Sequence, residues 1–547
     1  MNAACHGPPH TNIVQKTSSD MLDSLEAPRC EIFSDATNVR ESLHFHASQL
    51  PTPVTPLESD GKPKRRMSQS DETPTKKPRL MVAESSNDAI DVDVEMDDVV
   101  VKRRGCRRTA FRMLGLASNG HPTGPHRNIL PSRNILQSFV SSQISDVFKC
   151  FSRTVDSFVT PPYACAYSNG AKSGGVPLLA VATEQGSIAI LETTKRKEWD
   201  CEPPQVNLEP HDNGIFDVKW SADDALLATA SGDKSTRISS VETQQLLSIL
   251  DGHTSTVKCV AWDPTHRDLL TTGGRDGMLC LYDLRVNNLS DEDEIPARSP
   301  VITITAAHGQ DKASGGRQKL RPLPRGITNI IYPDDRPHGL VSSGSFDGIL
   351  HYWDLRLPSD KSSKRSPKKP SFKPLFSSGM DPTTFHGARC RGITSMSQGS
   401  GPSAGLLFAL GADSRLYTYS YPTLTPLRTE THPNLQTNSF YVRLATSPCG
   451  RWLASGSTSR AGSLFLFDIS NAGKVAPSYG KGAGEPVSPA VRFRGQSGEI
   501  GAVDWASDMV ASCADDGTVR IWRPDVELYQ NCITNSEEHK WEWMWST

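Results

Sequence analysis

One pattern constrains this chain more than any other: a unit of short apolar strands recurs seven times after residue 139. Each unit reads as a strand, a turn, a second strand ending in small residues, a tight Asp/Gly turn and a third strand. The clearest copies are VKCVAW…LLTTGGRDGMLCLYDLR and IGAVDWASDMVASCADDGTVRIWRPD. IFDVKW…LLATASGDKSTRISSVET, ITNIIYP…GLVSSGSFDGILHYWDLR and FYVRLATSPCGRWLASGSTSRAGSLFLFDIS follow the same plan. YACAYSNG…LLAVATEQGSIAILET and ITSMSQ…GLLFALGADSRLYTYSYPT are weaker copies. A sheet of this size cannot bury both its faces alone, so such units are stable only when each covers its neighbour.

Stacking seven small sheets in a circle gives an all-β chain, a seven-bladed β-propeller, and the spacing suits WD repeats of roughly 40–45 residues with insertions. A polar network within each repeat is expected: a His before the first strand, a Ser/Thr on the second, an Asp in the turn and an aromatic on the third. His253, Thr272, Asp276 and Tyr282 fill these places in the third copy. The second copy supplies His211, Ser231 and Asp233, with Ser239 where an aromatic is expected. The fourth has Asp347 and Trp353, and the seventh has Asp516 and Trp522 with Gln496 in place of the His. These histidines and aspartates are read as structural rather than catalytic.

Residues 1–138 have a different texture, rich in Ser, Thr, Pro, Asp and Lys without apolar periodicity, and are expected to be a long disordered extension. The hydrophobic fraction of 36% over 547 residues agrees with part of the chain staying outside any core. Lys62, Lys64, Arg65 and Arg66, then Lys76, Lys77 and Arg79, form two basic clusters resembling a bipartite nuclear-import signal; the alternative is a solvated basic tail. Thr-Pro pairs at 52, 55 and 73 suit proline-directed phosphorylation or a plain proline-rich linker. The propeller is placed at 139–525, with 139–160 as an outer strand clasping the last blade and 526–547 as a short tail. KWEWMWST at its end would pack on the propeller or bind a partner. Twelve scattered cysteines without paired spacing suggest reduced thiols inside a cell, and no apolar run approaches membrane-spanning length, so no membrane association is expected.

Catalytic constellations are not found. GAKSGG (170–175) is not a phosphate loop, and no nucleophile elbow is present. HPTGPH and HFH lack partners at metal spacing, so neither a metal nor another cofactor is expected. The chain reads as a binding protein. The net charge of −2 and the lack of a recognition helix argue against direct nucleic-acid binding.

Binding needs a surface, and two consecutive units end alike: Tyr282-Asp283-Leu284-Arg285 and Trp353-Asp354-Leu355-Arg356. Third strands of neighbouring blades end on one face, so Arg285 and Arg356 would offer carboxylates and carbonyls a two-point guanidinium surface. The bland alternative is that each arginine only pairs within its own blade. This double motif resembles the box by which WD-repeat substrate receptors dock on the triple-propeller adaptor of the cullin-4 RING ubiquitin ligase. HDNGIFDVKW, TASGD, TGGRDGMLCLYDLR, GSFDGILHYWDLR, NSFYVRLATSPCGRWLASGS and DDGTVRIWRP together resemble the denticleless (Cdt-two) family over roughly residues 160–525. The resemblance implies a nuclear substrate receptor that recruits degron-bearing proteins on the DNA-loaded sliding clamp for ubiquitylation in S phase and after DNA damage. It carries the adaptor-docking role to Asp283, Arg285, Asp354 and Arg356. Animal members of that family have a long C-terminal tail with a clamp-binding motif, which residues 526–547 do not provide, and QSFVSSQI lacks its aromatic pair. A histone- or chromatin-binding propeller is the other reading. The basic insertion 309–326 suits an acidic partner, DNA or a solvated loop, and 359–370, with Ser366-Pro367, suits a phosphorylation switch or a second import signal.

Overall fold

The structure is a computed structural model that describes residues 132–546 apart from 155–157, 197–204, 287–294, 310–324, 335–337, 357–371, 422 and 474–489. The import-like clusters Lys62–Arg66 and Lys76–Arg79, and most of both basic insertions, lie outside the described residues. The chain divides into two units at Val100, and all that follows concerns the second.

Among the described residues seven sheets follow one another along the chain, each opening on its inner strand and antiparallel except where Ala297–Arg298 joins Leu246–Leu250 in parallel. Blade 3 is representative: Val257–Trp262, Leu269–Gly274, Leu279–Asp283 and Ile302–Ile304 lie side by side in chain order. Blade 4 repeats it with Ile327–Ile331, Gly339–Gly344, His351–Asp354 and Phe376–Ser377. The tight turn between second and third strands forms at Asp276-Gly277, where Gly277 takes φ +76 and a Cβ would lie 2.7 Å from the Arg325 carbonyl. Only glycine takes that turn without strain.

Strand alternation explains how the blades hold together. Successive side chains point to opposite faces, so one strand serves both seams of its blade. Leu227 joins the apolar cluster shared with blade 1, whereas Ala228 joins the one shared with blade 3. Seven such clusters occupy the seven seams, and the one joining Ile521 and Ala511 of blade 7 to Leu179 and Val181 of blade 1 closes the circle. Each fully buried Leu, Val or Ile is worth about 1.5–3 kcal/mol. Indole hydrogen bonds add register between blades. Trp220 donates to the Ala166 carbonyl, Trp262 to that of Lys219 and Trp505 to that of Ala445, each from one inner strand to the preceding one.

Three members of the expected polar network meet in blade 3, where His253 Nδ1 reaches Asp276 and Nε2 lies 2.7 Å from Thr272 Oγ1. Tyr282 leaves that set and donates to the Asp251 carbonyl. In blade 2, His211 pairs with Asp233 at 2.7 Å, but its hydroxyl partner is Thr229, not Ser231. Ser231 lies two residues further along the strand and donates to the carbonyls of Asn213 and Gly214. Thr229 and Thr272 each precede their turn aspartate by four residues, and that spacing identifies the right hydroxyl. In blade 7, Gln496 replaces the histidine by accepting from Ser512 Oγ and donating to the Ser512 and Thr518 carbonyls, while Trp522 donates to Ser512 and Asp516 caps the turn at Thr518.

The circle closes through both ends of the described chain. Phe139–Ser142 pairs with the third strand of blade 7, Thr518–Pro524, and Val147–Lys149 pairs with it further along. Of the two roles open to KWEWMWST, the structure shows packing on the propeller: Trp543–Trp545 pairs with Val140, Ser141 and Ser142 on their outer edge. Helix Val526–Thr534, capped by Asp525 accepting from Leu528 N, carries the chain round to that edge. An unpaired edge strand exposes backbone donors and acceptors, and the terminal tryptophans cover it.

Candidate docking face

Register fixes which residues share a face. In blade 3, Leu269 pairs with Asp283 and Trp262 with Leu270, while Val257 pairs with Gly274. The end of the third strand and the start of the inner strand therefore lie on opposite faces of the ring. In blade 4, Gly339 pairs with Asp354 just as Leu269 pairs with Asp283, so Asp283 and Asp354 occupy equivalent places on one face.

The two Asp-x-Arg ends have the same bonding. Asp283 Oδ1 accepts from Arg285 N and Nε, both at 2.9 Å, and Oδ2 accepts from Nη2 at 2.7 Å. Asp354 accepts from the same three atoms of Arg356 at 3.0, 3.1 and 3.0 Å. The arginine hydrogen bonds hold both carboxyls below the usual carboxylate range. Among the described residues each arginine thus pairs within its own blade, through one edge of the guanidinium. Arg285 and Arg356 side chains remain 66% and 60% exposed, with the other edge in solvent and the direction of the fork set by the aspartate. Chemically this is a pair of pre-oriented, permanently charged donors for carboxylates or carbonyls.

The opposite face carries a constellation that sequence reasoning missed. Tyr163, Phe216 and Lys258 are each the second residue of the inner strand of blades 1, 2 and 3. They meet Phe440 and Tyr441 from the connection leading into blade 6. Tyr163 stacks on Phe216 at 5.7 Å and on Tyr441 at 5.5 Å, Phe216 lies 5.7 Å from Phe440, and Phe440 lies 4.8 Å from Tyr441. Lys258 Nζ sits 3.3 Å from the Phe440 ring centre and 4.0 Å from that of Phe216. Arg443 Nη2 ties the set together by donating to the Phe216 and Lys258 carbonyls. Burial, and then the neighbouring charges of Arg443 and Arg275, lower the Lys258 ammonium to about 7. Below this rim the inner strands line a central cavity of about 370 Å³, with Asp217, Asn329, Ser395 and Arg443 among its polar groups. The signal lay in the second position of PYACAY, IFDVKW and VKCVAW, but only ring closure brings blades 1, 2, 3 and 6 to one point.

A closed ring of seven such sheets, with His–Asp–Thr networks in blades 2 and 3, defines a WD-repeat β-propeller. The family described as "Anaphase-promoting complex subunit 4 WD40 domain" matches residues 174–265, and "WD domain, G-beta repeat" matches 488–523. The chain is related to the denticleless proteins. It is 28% identical to "Denticleless protein homolog" of Danio rerio over 406 residues, 70% of this chain and 56% of that one. It is also 28% identical to "Cell division cycle protein cdt2" of Schizosaccharomyces pombe, across 66% and 68% of the two chains. "Protein lethal(2)denticleless" of Drosophila melanogaster is 27% identical across 64% and 43%. The match spans about half the length of most of these relatives. The resemblance drawn from the repeat motifs is borne out by these relatives.

Proposed function

We propose that this protein is a nuclear substrate receptor of a cullin-4 RING ubiquitin ligase. The observation that carries the reading is the pair of identically bonded, solvent-facing Asp-x-Arg ends on consecutive blades. Two fixed guanidiniums on one face suit an adaptor that presents carboxylates and carbonyls to the rim of the ring. The opposite face, with its aromatic rim and the weakly basic Lys258, is left for the protein to be ubiquitylated. Its targets are replication and cell-cycle proteins held on the DNA-loaded sliding clamp, a reading supported by relatives named denticleless and cell division cycle protein. The work of such a receptor is binding, and the ubiquitin-transfer chemistry belongs to its partners.

The test is recovery of the cullin-4 adaptor from nuclear extract by wild type and by the Arg285→Ala/Arg356→Ala double variant. Adaptor with wild type and none with a variant of unchanged melting temperature supports the assignment. Adaptor with neither protein removes it.

A further inference from the structure

Between the two Asp-x-Arg ends lies a cluster that the docking reading does not use. Asp263 and His266 sit on the turn between the first and second strands of blade 3, and His338 sits on the equivalent turn of blade 4. Their ligating atoms all lie within 4.8 Å of one another, and the two imidazole rings are 5.0 Å apart, centre to centre. We propose that Asp263, His266 and His338 form a binding site for a divalent transition-metal ion of the zinc class, bridging blades 3 and 4 on the docking face.

The donors are prepared for this. Asp263 is almost fully buried, and the hydrogen bonds it accepts converge on one oxygen: Oδ1 takes Thr265 N at 2.7 Å, Thr265 Oγ1 at 2.6 Å and His266 N at 3.1 Å. Thr265 Oγ1 in turn lies 2.8 Å from His266 Nδ1. A carboxylate, hydroxyl and imidazole linked in series fix ring orientation, which is how groups behind metal ligands act. His338 takes φ +70, a backbone conformation that few residues other than glycine adopt, immediately before its strand. Among the described residues no hydrogen bond holds its ring, which faces that of His266. One carboxylate oxygen and two imidazole nitrogens suit zinc or its neighbours in the transition series better than magnesium or calcium. Zinc ligand lengths of about 2.0–2.2 Å put tetrahedral donors roughly 3.4 Å apart, so donors within 4.8 Å of one another close by at most about 1.5 Å around the ion, and water completes the fourth position.

The place of the ligands gives the ion a consequence. Leu284 N donates to the Asp268 carbonyl and Leu355 N to the His338 carbonyl. Leu284 and Leu355 are the middle residues of the two Asp-x-Arg ends, so the turns holding the ion also hold both arginines. A bound ion fixes the spacing of the two guanidiniums across the seam.

The full-length protein, stripped with chelator, is titrated with zinc by calorimetry and with cobalt(II) by visible absorption. Wild type is expected to take up one ion whose cobalt spectrum has nitrogen/oxygen d–d bands without a thiolate charge-transfer band, which separates this site from the cysteines. His338→Asn keeps a residue that tolerates positive φ, and His266→Gln keeps a polar side chain on the turn. Each is expected to bind the ion at least about tenfold more weakly while its metal-free melting temperature stays that of wild type. At one zinc concentration the rise in melting temperature should be clearly larger for wild type than for either variant. Absence of saturable uptake, or uptake unchanged in both variants, overturns the proposal.

Discussion

Blades 3 and 4 present the same Asp-x-Arg end to solvent on interiors built in opposite ways. In blade 3, Asp276 reaches His253. Burial disfavours the imidazolium, but the Asp276 hydrogen bond, the Cys280 thiol and the Asp276 charge together outweigh it and raise His253 to about 9. In blade 4, His308 bonds Ser342 through Nε2 at 2.9 Å, and among the described residues its buried Nδ1 has no hydrogen-bond partner. Asp347 has turned away to Arg325 at 3.0 Å. The cause is one extra residue: eight positions separate Thr272 from its cross-strand partner Cys280 (280 − 272), and nine separate Ser342 from His351 (351 − 342). Burial then pushes His308 well below the ordinary range and His351 down to about 4. The outer motif is therefore insensitive to the inner network, because Asp283 and Asp354 are placed by strand register rather than by turn chemistry.

The aromatic at the centre of each blade tests this contrast most severely. Trp353→Ala is expected to cost about 3–5 kcal/mol, since the indole fills the blade 3–4 seam and donates to Ser342. Tyr282→Phe in blade 3 removes only the hydroxyl bonded to the Asp251 carbonyl and should cost about 1 kcal/mol. Denaturant midpoints at constant slope give both numbers. Equal losses would mean that the seams, not the polar partners, carry all the difference.

The turn aspartates come next. Asp276→Ala leaves a buried imidazolium unpaired and is expected to cost about 3 kcal/mol. Asp347→Ala should cost about 1 kcal/mol or less, because burial already raises that carboxyl and its Arg325 partner also lies against the Phe346 ring. Similar costs at the two sites would refute the contrast.

Acid and alkali should separate the blades without mutation. His253 is raised above its unfolded value of about 6.5, so its stabilisation is full below pH 6.5 and disappears as pH rises through about 9. His308 and His351 are lowered, so the unfolded chain binds their protons first and stability falls as pH drops from about 6.5 toward 4. Melting temperature should be highest near pH 6.5 and decline on both sides. In Asp276→Asn the alkaline decline should vanish while the acid one persists. A variant that kept both limbs would show that His253 is not the alkaline group.

How much of this was legible depended on whether the cause was local. Strand alternation and Asp-Gly turns are written in consecutive residues, so the blades and the Asp-x-Arg ends could be read directly. The hydroxyl partner of His211 was misread by two positions because Thr229 and Ser231 project on the same face of one strand, and only the four-residue spacing to Asp233 tells them apart. The terminal tryptophans were ambiguous because their partner, Val140–Ser142, lies about 400 residues away in sequence. The aromatic rim and the Asp263–His266–His338 cluster join residues from different blades, and no single stretch of sequence contains either.

The smallest expected effect on stability falls on the feature the two blades share. Asp283→Asn or Asp354→Asn exchanges a charged acceptor for a neutral one at a strand end whose arginine is mostly in solvent, so folding should change by about 0.5 kcal/mol or less. The arginine is affected differently. Without the carboxylate holding Nε and Nη2, the guanidinium regains its side-chain freedom and must be ordered at the moment of docking. Under the proposed docking role, adaptor binding should therefore weaken measurably in either single variant and further in the double, by faster dissociation rather than slower association. Since strand register places both aspartates equivalently, the two single variants should weaken binding by the same factor. A large asymmetry would show that one blade carries the contact and that the match between the two ends is architectural.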